Sequence, residues 1–288
     1  MTSTSRQSPT LRRRRLSAEL RRIREERGLT AQDVTKALRL ATGTLTNWER
    51  GNWQRPSLLK IRALIDLYEV EDDLKRAELE MLAKEGIERT GWWHAYRQMM
   101  NPAYSTYVGL EAGAAELLVF EPIAIHGLLQ TDAYARCIIE AGPSELDAGQ
   151  MEQLAHVRRE RQKLLTRPED PLRFWAVLDE AALRRQVGGA DIMREQLKHL
   201  LELAELARVT IQVAPFTSGA HPGVTGPFTI LSFPDPEDLP AVYIDSAGGQ
   251  LFIEEPKEVR RFEIALQRMQ AMALPPAESL RMIADLAG

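Results

Sequence analysis

The stretch that decides the fold is GLTAQDVTKALRLATGTLTNWERG, residues 28–51. It contains two short amphipathic patterns separated by a few polar residues, as expected for two helices joined by a tight turn. Thr30 followed by Asp33 is a capping-box signal at the start of the first pattern. In the second pattern Leu45 and Trp48 are three residues apart, so we expect both to face inward. The stretch therefore predicts a helix opening at Thr30 and a second helix over residues 42–50.

Further helical patterns flank these two. Residues 16–27 carry an apolar stripe that Gly28 is placed to end, and Pro56 suits the first turn of a fourth helix. We therefore predict a helical bundle over residues 16–70. Residues 1–15 contain no apolar face and predict a flexible basic tail, and residues 71–90 predict a charged, solvent-facing connecting helix before a second domain at 91–288.

The charge is divided unevenly along the chain. Residues 1–62 contain 15 Lys and Arg against 5 Asp and Glu, a net charge of +10, whereas the whole chain has −4, so the remainder carries −14. A basic module favours a polyanion such as double-stranded DNA, although a chance excess of solvated arginines would look the same. One cysteine excludes an internal disulfide, and with neither a signal peptide nor an apolar run of spanning length we expect a cytoplasmic protein without membrane contact.

Two helices joined by a short turn allow the second helix to enter the major groove of DNA. Asn can pair with adenine through two hydrogen bonds, and a Thr methyl group can contact the thymine methyl group. The predicted base-reading residues are Thr42, Gly43, Thr44, Thr46 and Asn47. The arginines predicted to contact phosphates, which position a protein without reading sequence, are Arg12, Arg13, Arg14, Arg15, Arg50 and Arg55.

At these residues the chain resembles the Xre family of helix-turn-helix regulators, which includes the lambdoid phage repressors. The resemblance rests on 20–24, Gly28-Leu29-Thr30, 44–49, Gly51 and Arg55-Pro56. It implies an all-α, lambda-repressor-like domain that binds DNA as a homodimer. The chain departs from the family at Ala31, where the family has a phosphate-binding Gln, and at Arg39, where the family often has Gly. The resemblance adds Thr30, Gln32 and Arg39 to the predicted phosphate contacts.

The rest of the chain predicts an α+β domain. Apolar runs of strand length occur at 117–125, 172–178, 209–213, 228–233, 241–245 and 251–253. Helical patterns occur at 131–140, 150–166, 192–207 and 256–272, with a last one after Pro276. Because the late strands have no helices between them, we expect a mixed or antiparallel sheet.

This second region resembles the C-terminal domain of unknown function that is attached to such regulators in actinobacteria. Matching stretches include 120–122, 127–131, 178–184 and 219–223. The resemblance implies transcriptional control, often beside a gene for a small acidic partner protein, and no catalytic residues. We therefore expect a regulator whose C-terminal domain binds that partner. The alternative is a small-molecule sensor, with its pocket formed by the late sheet and the loop at 219–228.

The sequence contains no recognisable catalytic or metal-binding set, so neither an enzyme nor a cofactor is predicted. Asp179 and Glu180 are adjacent, and we expect one of them to cap a helix or to pair with Arg184 or Arg185 rather than to form an acid–base pair. The five histidines lack zinc-site spacing. The residues predicted for a ligand or partner surface are Trp92, Trp93, Gln130 and His221.

Overall fold

The structure is a computed structural model that describes residues 8–51, 57–88, 91–142, 146–246 and 248–288. The chain divides into two compact units, Met1–His94 and Ala95–Gly288. In the part of the chain that is described, no helix is long and apolar enough to span a membrane.

The N-terminal unit is helical. Its helices are α1 Pro9–Glu26, α2 Ala31–Ala37, α3 Thr44–Glu49, α4 Leu58–Leu67 and α5 Asp73–Glu88. One apolar core joins all five helices, with Leu20, Val34, Leu45 and Leu64 at its centre, each at most 1% exposed. Burying such side chains contributes about 1.5–3 kcal/mol each, which is where most of the bundle's stability arises.

Two predicted boundaries are wrong at this unit. Residues 9–15 are not a flexible tail, because α1 begins at Pro9, where the Ser8 side chain accepts a hydrogen bond from the Leu11 amide and proline occupies the first helical position. Leu11 is 3% exposed and anchors that first turn. The predicted connecting helix is also part of the bundle, since α5 packs on α1 and buries Leu79 and Leu82 almost completely.

The C-terminal unit is built on a six-stranded mixed sheet. The strands are β1 Glu116–Glu121, β2 Arg173–Asp179, β3 Val209–Ala214, β4 Phe228–Ser232, β5 Ala241–Ser246 and β6 Gly249–Ile253. Their order is β3-β2-β1-β4-β5-β6, with β1, β2 and β3 parallel and the other neighbours antiparallel. All six predicted strands and the mixed sheet are confirmed.

Helices cover both faces of this sheet. They are α6 Pro102–Gly113, α7 Asp132–Glu140, α8 Ala148–Thr166, α9 Glu180–Arg184, α10 Ala190–Leu203, α11 Pro256–Met272 and α12 Pro276–Ala287. One face carries Val119, Ala176 and Ile211 in a core shared with α10 and α12. The other carries Phe120 and Val177 in a core shared with α11. Successive residues of β1 therefore point into different cores, which places Glu121 on the same face as Val119.

Candidate nucleic-acid interface

The first helix of the pair, α2, is held at its start by side chains. The Thr30 hydroxyl accepts a hydrogen bond from the Asp33 amide at 3.1 Å, and the Asp33 carboxylate accepts from the Thr30 amide at 2.9 Å. The predicted capping box is therefore confirmed. Hydrogen bonds from the Thr30 hydroxyl and then its backbone lower the pKa of Asp33, which keeps the cap ionised.

The turn between α2 and α3 uses left-handed backbone at two positions. Arg39 has φ +49°, a conformation that costs an L-residue about 1–2 kcal/mol and that glycine adopts without this cost. Gly43, with φ +79°, stands immediately before α3. Because of this turn α3 begins at Thr44, so the prediction of a helix from Thr42 is wrong by two residues. Thr42 and Gly43 lie in the turn itself.

The inner side of α3 is fixed by an apolar contact and an ion pair. Leu45 is 1% exposed, and Trp48 is half-buried beneath Lys60, whose ammonium lies 5.2 Å from the indole centroid. Glu49 accepts two hydrogen bonds from Arg24 of α1, at 2.6 and 2.9 Å. Arg24 also donates to the Leu29 carbonyl at 2.7 Å. These contacts fix the orientation of α3 against α1.

The outer side of α3 and the turn before it carry the predicted base-reading residues. Thr42, Gly43 and Asn47 are exposed, and Thr44 and Thr46 are half-buried. Asn47 lies two residues from each inward-facing residue, Leu45 and Glu49, and so projects away from the bundle. Polar hydrogen-bonding groups therefore form a short exposed row on a helix of six residues.

The predicted phosphate contacts fall into two groups. Thr30, Gln32, Arg39 and Arg50 are exposed near α2 and α3, whereas Arg55 lies outside the described residues. The Arg12–Arg15 run instead lies on α1 beside α5. There Arg12 pairs with Glu85 at 2.9 Å and Arg15 with Glu78 at 2.8 Å. Arg13 donates to the Gly86 carbonyl at 3.4 Å, and Arg14 is half-buried. Two of the four arginines in this run, which were predicted to contact phosphates, therefore pair with α5 carboxylates instead.

The residues predicted for a ligand or partner surface are divided between the two units, and three of them are largely buried. Trp93 is 4% exposed and packs edge-on against Trp92, and both belong to the N-terminal unit. Gln130 is 3% exposed and donates to the Ile125 carbonyl at 2.6 Å. His221 lies 3.4 Å from Asp179 with a side chain that is 9% exposed. Internal contacts hold Trp93, Gln130 and His221.

The acidic pair at the end of β2 is structural, as predicted. Asp179 caps α9 by accepting from the Ala181 amide at 2.8 Å, and Glu180 pairs with Arg184 at 2.6 Å. His221 accepts from the Gly223 amide through Nδ1 at 3.2 Å, so its Nε2 carries the hydrogen that faces Asp179. This histidine closes the loop at 219–228 onto Phe120, on the α11 face of the sheet.

Sequence reasoning missed a buried polar network between α6 and α8. Glu111, with no exposed area, accepts two hydrogen bonds from Arg161 at 2.6 and 2.8 Å and a third from the Tyr107 hydroxyl at 2.9 Å. Arg161 also donates to the Tyr104 hydroxyl at 2.6 Å. His126 lies 3.3 Å from the Tyr107 hydroxyl, and burial followed by the Arg161 charge lowers its pKa, so it is neutral. The i, i+4 spacing of Tyr107 and Glu111 was the only feature of the local sequence that could have indicated this network.

A capped helix, a tight turn and a second helix with polar residues outward define a helix-turn-helix protein, a class of DNA-binding regulators. In agreement, residues 15–79 match a family described as a helix-turn-helix domain. Residues 104–285 match the domain of unknown function DUF5753. That match covers more than half of the chain, so the protein belongs to the DUF5753 family. Searches of curated proteins found no match. Searches of solved structures also found none.

Proposed function

We propose that the protein is a sequence-specific transcriptional regulator that reads DNA bases with α3. The observation that carries the proposal is the division of α3 into two sides. Leu45 and Glu49 are held against the bundle, while Asn47 projects outward with Thr44 and Thr46 beside it. A helix fixed on one side and polar on the other can present its amide and hydroxyl groups to base edges in the major groove.

The phosphate contacts in this proposal come from residues near the helix pair. Thr30, Gln32, Arg39 and Arg50 are exposed there and can position the protein on the DNA backbone. Arg12, Arg13 and Arg15 are left out, because carboxylates or a carbonyl of the same unit already occupy their guanidinium groups. Arg14 is left out with them because it is half-buried on the same helix.

We propose further that the protein binds DNA as a homodimer. Two copies related by a two-fold axis would place their α3 helices about 34 Å apart, one turn of B-DNA, on a palindromic site. The small acidic partner protein implied by the resemblance stays a prediction. The net charge of −14 beyond residue 62 opposes its approach at long range.

Selection from random duplexes followed by binding titrations tests the proposal. Asn47→Ala should lose roughly 1–3 kcal/mol on the selected site and relax the preference at one base pair, with little change on random DNA. Gln32→Ala is the matched control, since loss of a phosphate contact weakens both DNAs equally. The affinity for the selected site should also fall steeply as salt rises. An equal loss on both DNAs for Asn47→Ala, or a salt slope near zero, contradicts base reading by α3.

A further inference from the structure

The sheet of the C-terminal unit ends in two edge strands, β3 and β6, whose outer sides differ. On the outer side of β3, the Leu274 amide donates to the Val213 carbonyl at 2.8 Å. The Ser279 hydroxyl accepts a hydrogen bond from the Val213 amide at 2.9 Å, and α12 packs along the strand. The chain therefore covers the β3 edge with its own residues, which is one way in which proteins prevent an edge strand from pairing with another chain.

The outer side of β6 has no such cover in the described part of the chain. Two residues separate the paired Ser246 and Gly249, so the hairpin of β5 and β6 closes on a hydrogen-bonded pair. Hydrogen-bonded and non-hydrogen-bonded pairs alternate along antiparallel strands, so Gln250 and Phe252 direct their amide and carbonyl groups away from β5. Among the described residues, none of these four groups has a backbone partner. We call this outer side of residues 249–253 the β6 edge.

The strand β6 also lacks the residues that usually protect an edge strand. Its sequence, GQLFI, contains no proline and no charged residue. Leu251 is 55% exposed in the middle of the strand, on the same face as Ile253, while Phe252 packs against Tyr243 on the other face. An open, uncharged strand edge with an exposed apolar side chain favours the addition of another strand.

A second copy of β6 fits this edge in the antiparallel orientation. When the pairing is centred on Leu251, Gln250 of each copy faces Phe252 of the other, and these are the residues whose backbone groups point outward. Leu251 then faces Leu251 of the second copy with Cβ atoms about 4.5–5.5 Å apart, so the two exposed side chains cover each other. A different protein would need an open strand edge of its own, whereas every copy of this chain carries one.

The charges beside β6 also favour this orientation. Glu254 and Glu255 directly follow the strand. In the antiparallel pairing Glu254 faces Gly248 of the second copy, and the two Glu254 residues are six strand positions apart, about 20 Å. That separation exceeds the screening length of about 8–10 Å at moderate salt. A parallel pairing in register would place each glutamate beside its equivalent, so the charges select the two-fold arrangement, which closes as a dimer.

We propose that the β6 edge is a dimer interface, where β6 of two copies pair about a two-fold axis at Leu251 and join their sheets into one. This inference rests on the homodimer proposed above and identifies its surface. It does not depend on base reading by α3.

The test measures association of the full chain without DNA by sedimentation equilibrium. We expect the wild-type mass to rise with concentration toward that of two chains. Leu251→Lys places two ammonium groups beside each other on the axis and should raise the Kd of the dimer roughly tenfold or more. Phe216→Lys is the matched control, because Phe216 is 58% exposed just after β3, at the opposite edge of the sheet. The control should change the Kd by less than about twofold.

A disulfide tests the same contact without a change of charge. In a Cys137→Ser background, Leu251→Cys should form an intermolecular disulfide on mild oxidation, because Cβ atoms of facing residues in a non-hydrogen-bonded pair lie close enough to be bridged. Phe216→Cys, at a position exposed to a similar extent, should stay uncrosslinked. The cross-link keeps the test decisive if Leu251→Lys does not fold.

Three results would overturn the proposal. They are a wild-type chain that stays monomeric at about 100 μM, an unchanged Kd in Leu251→Lys, and equal cross-linking of the two cysteine variants. A dimer that survives Leu251→Lys overturns the β6 contact alone, whereas a monomeric wild-type chain also contradicts the homodimer. Base reading by α3 is measured separately on DNA with Asn47→Ala, so its failure is distinguishable from both.

Discussion

Breaking the ion pair between Arg24 and Glu49 should strongly destabilise the N-terminal unit, and Glu49→Gln tests this. The two side chains are 10% and 7% exposed, and two hydrogen bonds of 2.6 and 2.9 Å join them. Removing one member of a buried pair leaves the other charge uncompensated, which costs about 3–5 kcal/mol. Glutamine keeps one acceptor oxygen, and Arg24 keeps the Leu29 carbonyl, so we expect the lower end, about 3 kcal/mol.

This loss converts into a large shift of the unfolding temperature. For a domain of this size each kcal/mol lowers Tm by about 4–8 °C, so Glu49→Gln should lower Tm of the N-terminal unit by about 12–24 °C. Glu26→Gln is the matched control, since Glu26 is 59% exposed in its pair with Arg22. Exposed helix pairs contribute about 0.3–0.5 kcal/mol, so the control should shift Tm by no more than about 4 °C.

Tryptophan fluorescence during heating reports on the relevant unit. Trp48, Trp53, Trp92 and Trp93 lie within residues 1–94, whereas Trp175 alone lies in the C-terminal unit. If Glu49→Gln lowers Tm no more than Glu26→Gln, the reasoning about the buried pair is refuted. The double variant with Met at positions 24 and 49 should recover most of the loss, because apolar side chains commonly replace a buried pair without a net cost. No recovery would mean that the loss came from packing.

Three further perturbations are predicted. Arg39→Gly should stabilise the N-terminal unit by about 1–2 kcal/mol because glycine adopts the left-handed backbone at this position without strain, whereas Gly43→Ala should destabilise the unit. The same fluorescence assay measures both changes. An unchanged Tm for Arg39→Gly would show that the backbone at Arg39 is not strained. Glu111→Gln should cost the C-terminal unit about 3–5 kcal/mol, measured by hydrogen exchange in α8, with the exposed Glu152→Gln as a control that must stay near wild type. The pKa of Glu121 is raised from 4.5 to about 8 in the folded unit, so Glu121 holds its proton where the unfolded chain has lost it, and stability should fall as pH rises from 4.5 to 8. Asp245, Arg158 and Arg161 act on Glu121, and Tyr134 lies near it. Glu121→Gln should flatten that dependence in urea titrations, whereas Glu116→Gln at the other end of β1 should not; an unchanged slope for Glu121→Gln would show that Glu121 is ionised in the folded state.

Local signals made the helix pair predictable. The Thr30 and Asp33 capping box, the glycine stops at Gly28 and Gly51 and the inward Leu45 all act within one or two turns of the chain, so they are visible without tertiary structure. The start of α1 was predicted wrongly because its evidence depends on tertiary contacts. Ser8 and Pro9 were valid start signals, but the four arginines after Leu11 resembled a solvated tail until α5 brought Glu78 and Glu85 beside them.

The strand order of the sheet also depends on tertiary contacts and could not be predicted from the sequence. Its strands were predictable because each is a short apolar run between turn residues, but their order depends on pairings such as Glu116 with Ser232 that span more than a hundred residues. The helix α6 was missed because its buried side is mixed, with Glu111 among Tyr107, Val108 and Leu110. An acidic residue on an otherwise apolar side weakens the helical pattern unless its buried partner is known.

That partner, Arg161, shows how a buried charge in the C-terminal unit is compensated within the fold. Arg161 and Arg24 each donate two hydrogen bonds to one carboxylate, so a side chain of the protein itself compensates the charge of each arginine. Arg158, one turn earlier on α8, is half-buried, donates to the Gln130 amide oxygen and is also hydrogen-bonded to Tyr104. Glu111 accepts three hydrogen bonds from Arg161 and Tyr107, which use three of the roughly four acceptor positions of its carboxylate. The C-terminal unit therefore compensates Arg161 with a fully buried carboxylate, whereas Arg158 is only half-buried, so water can solvate part of its charge.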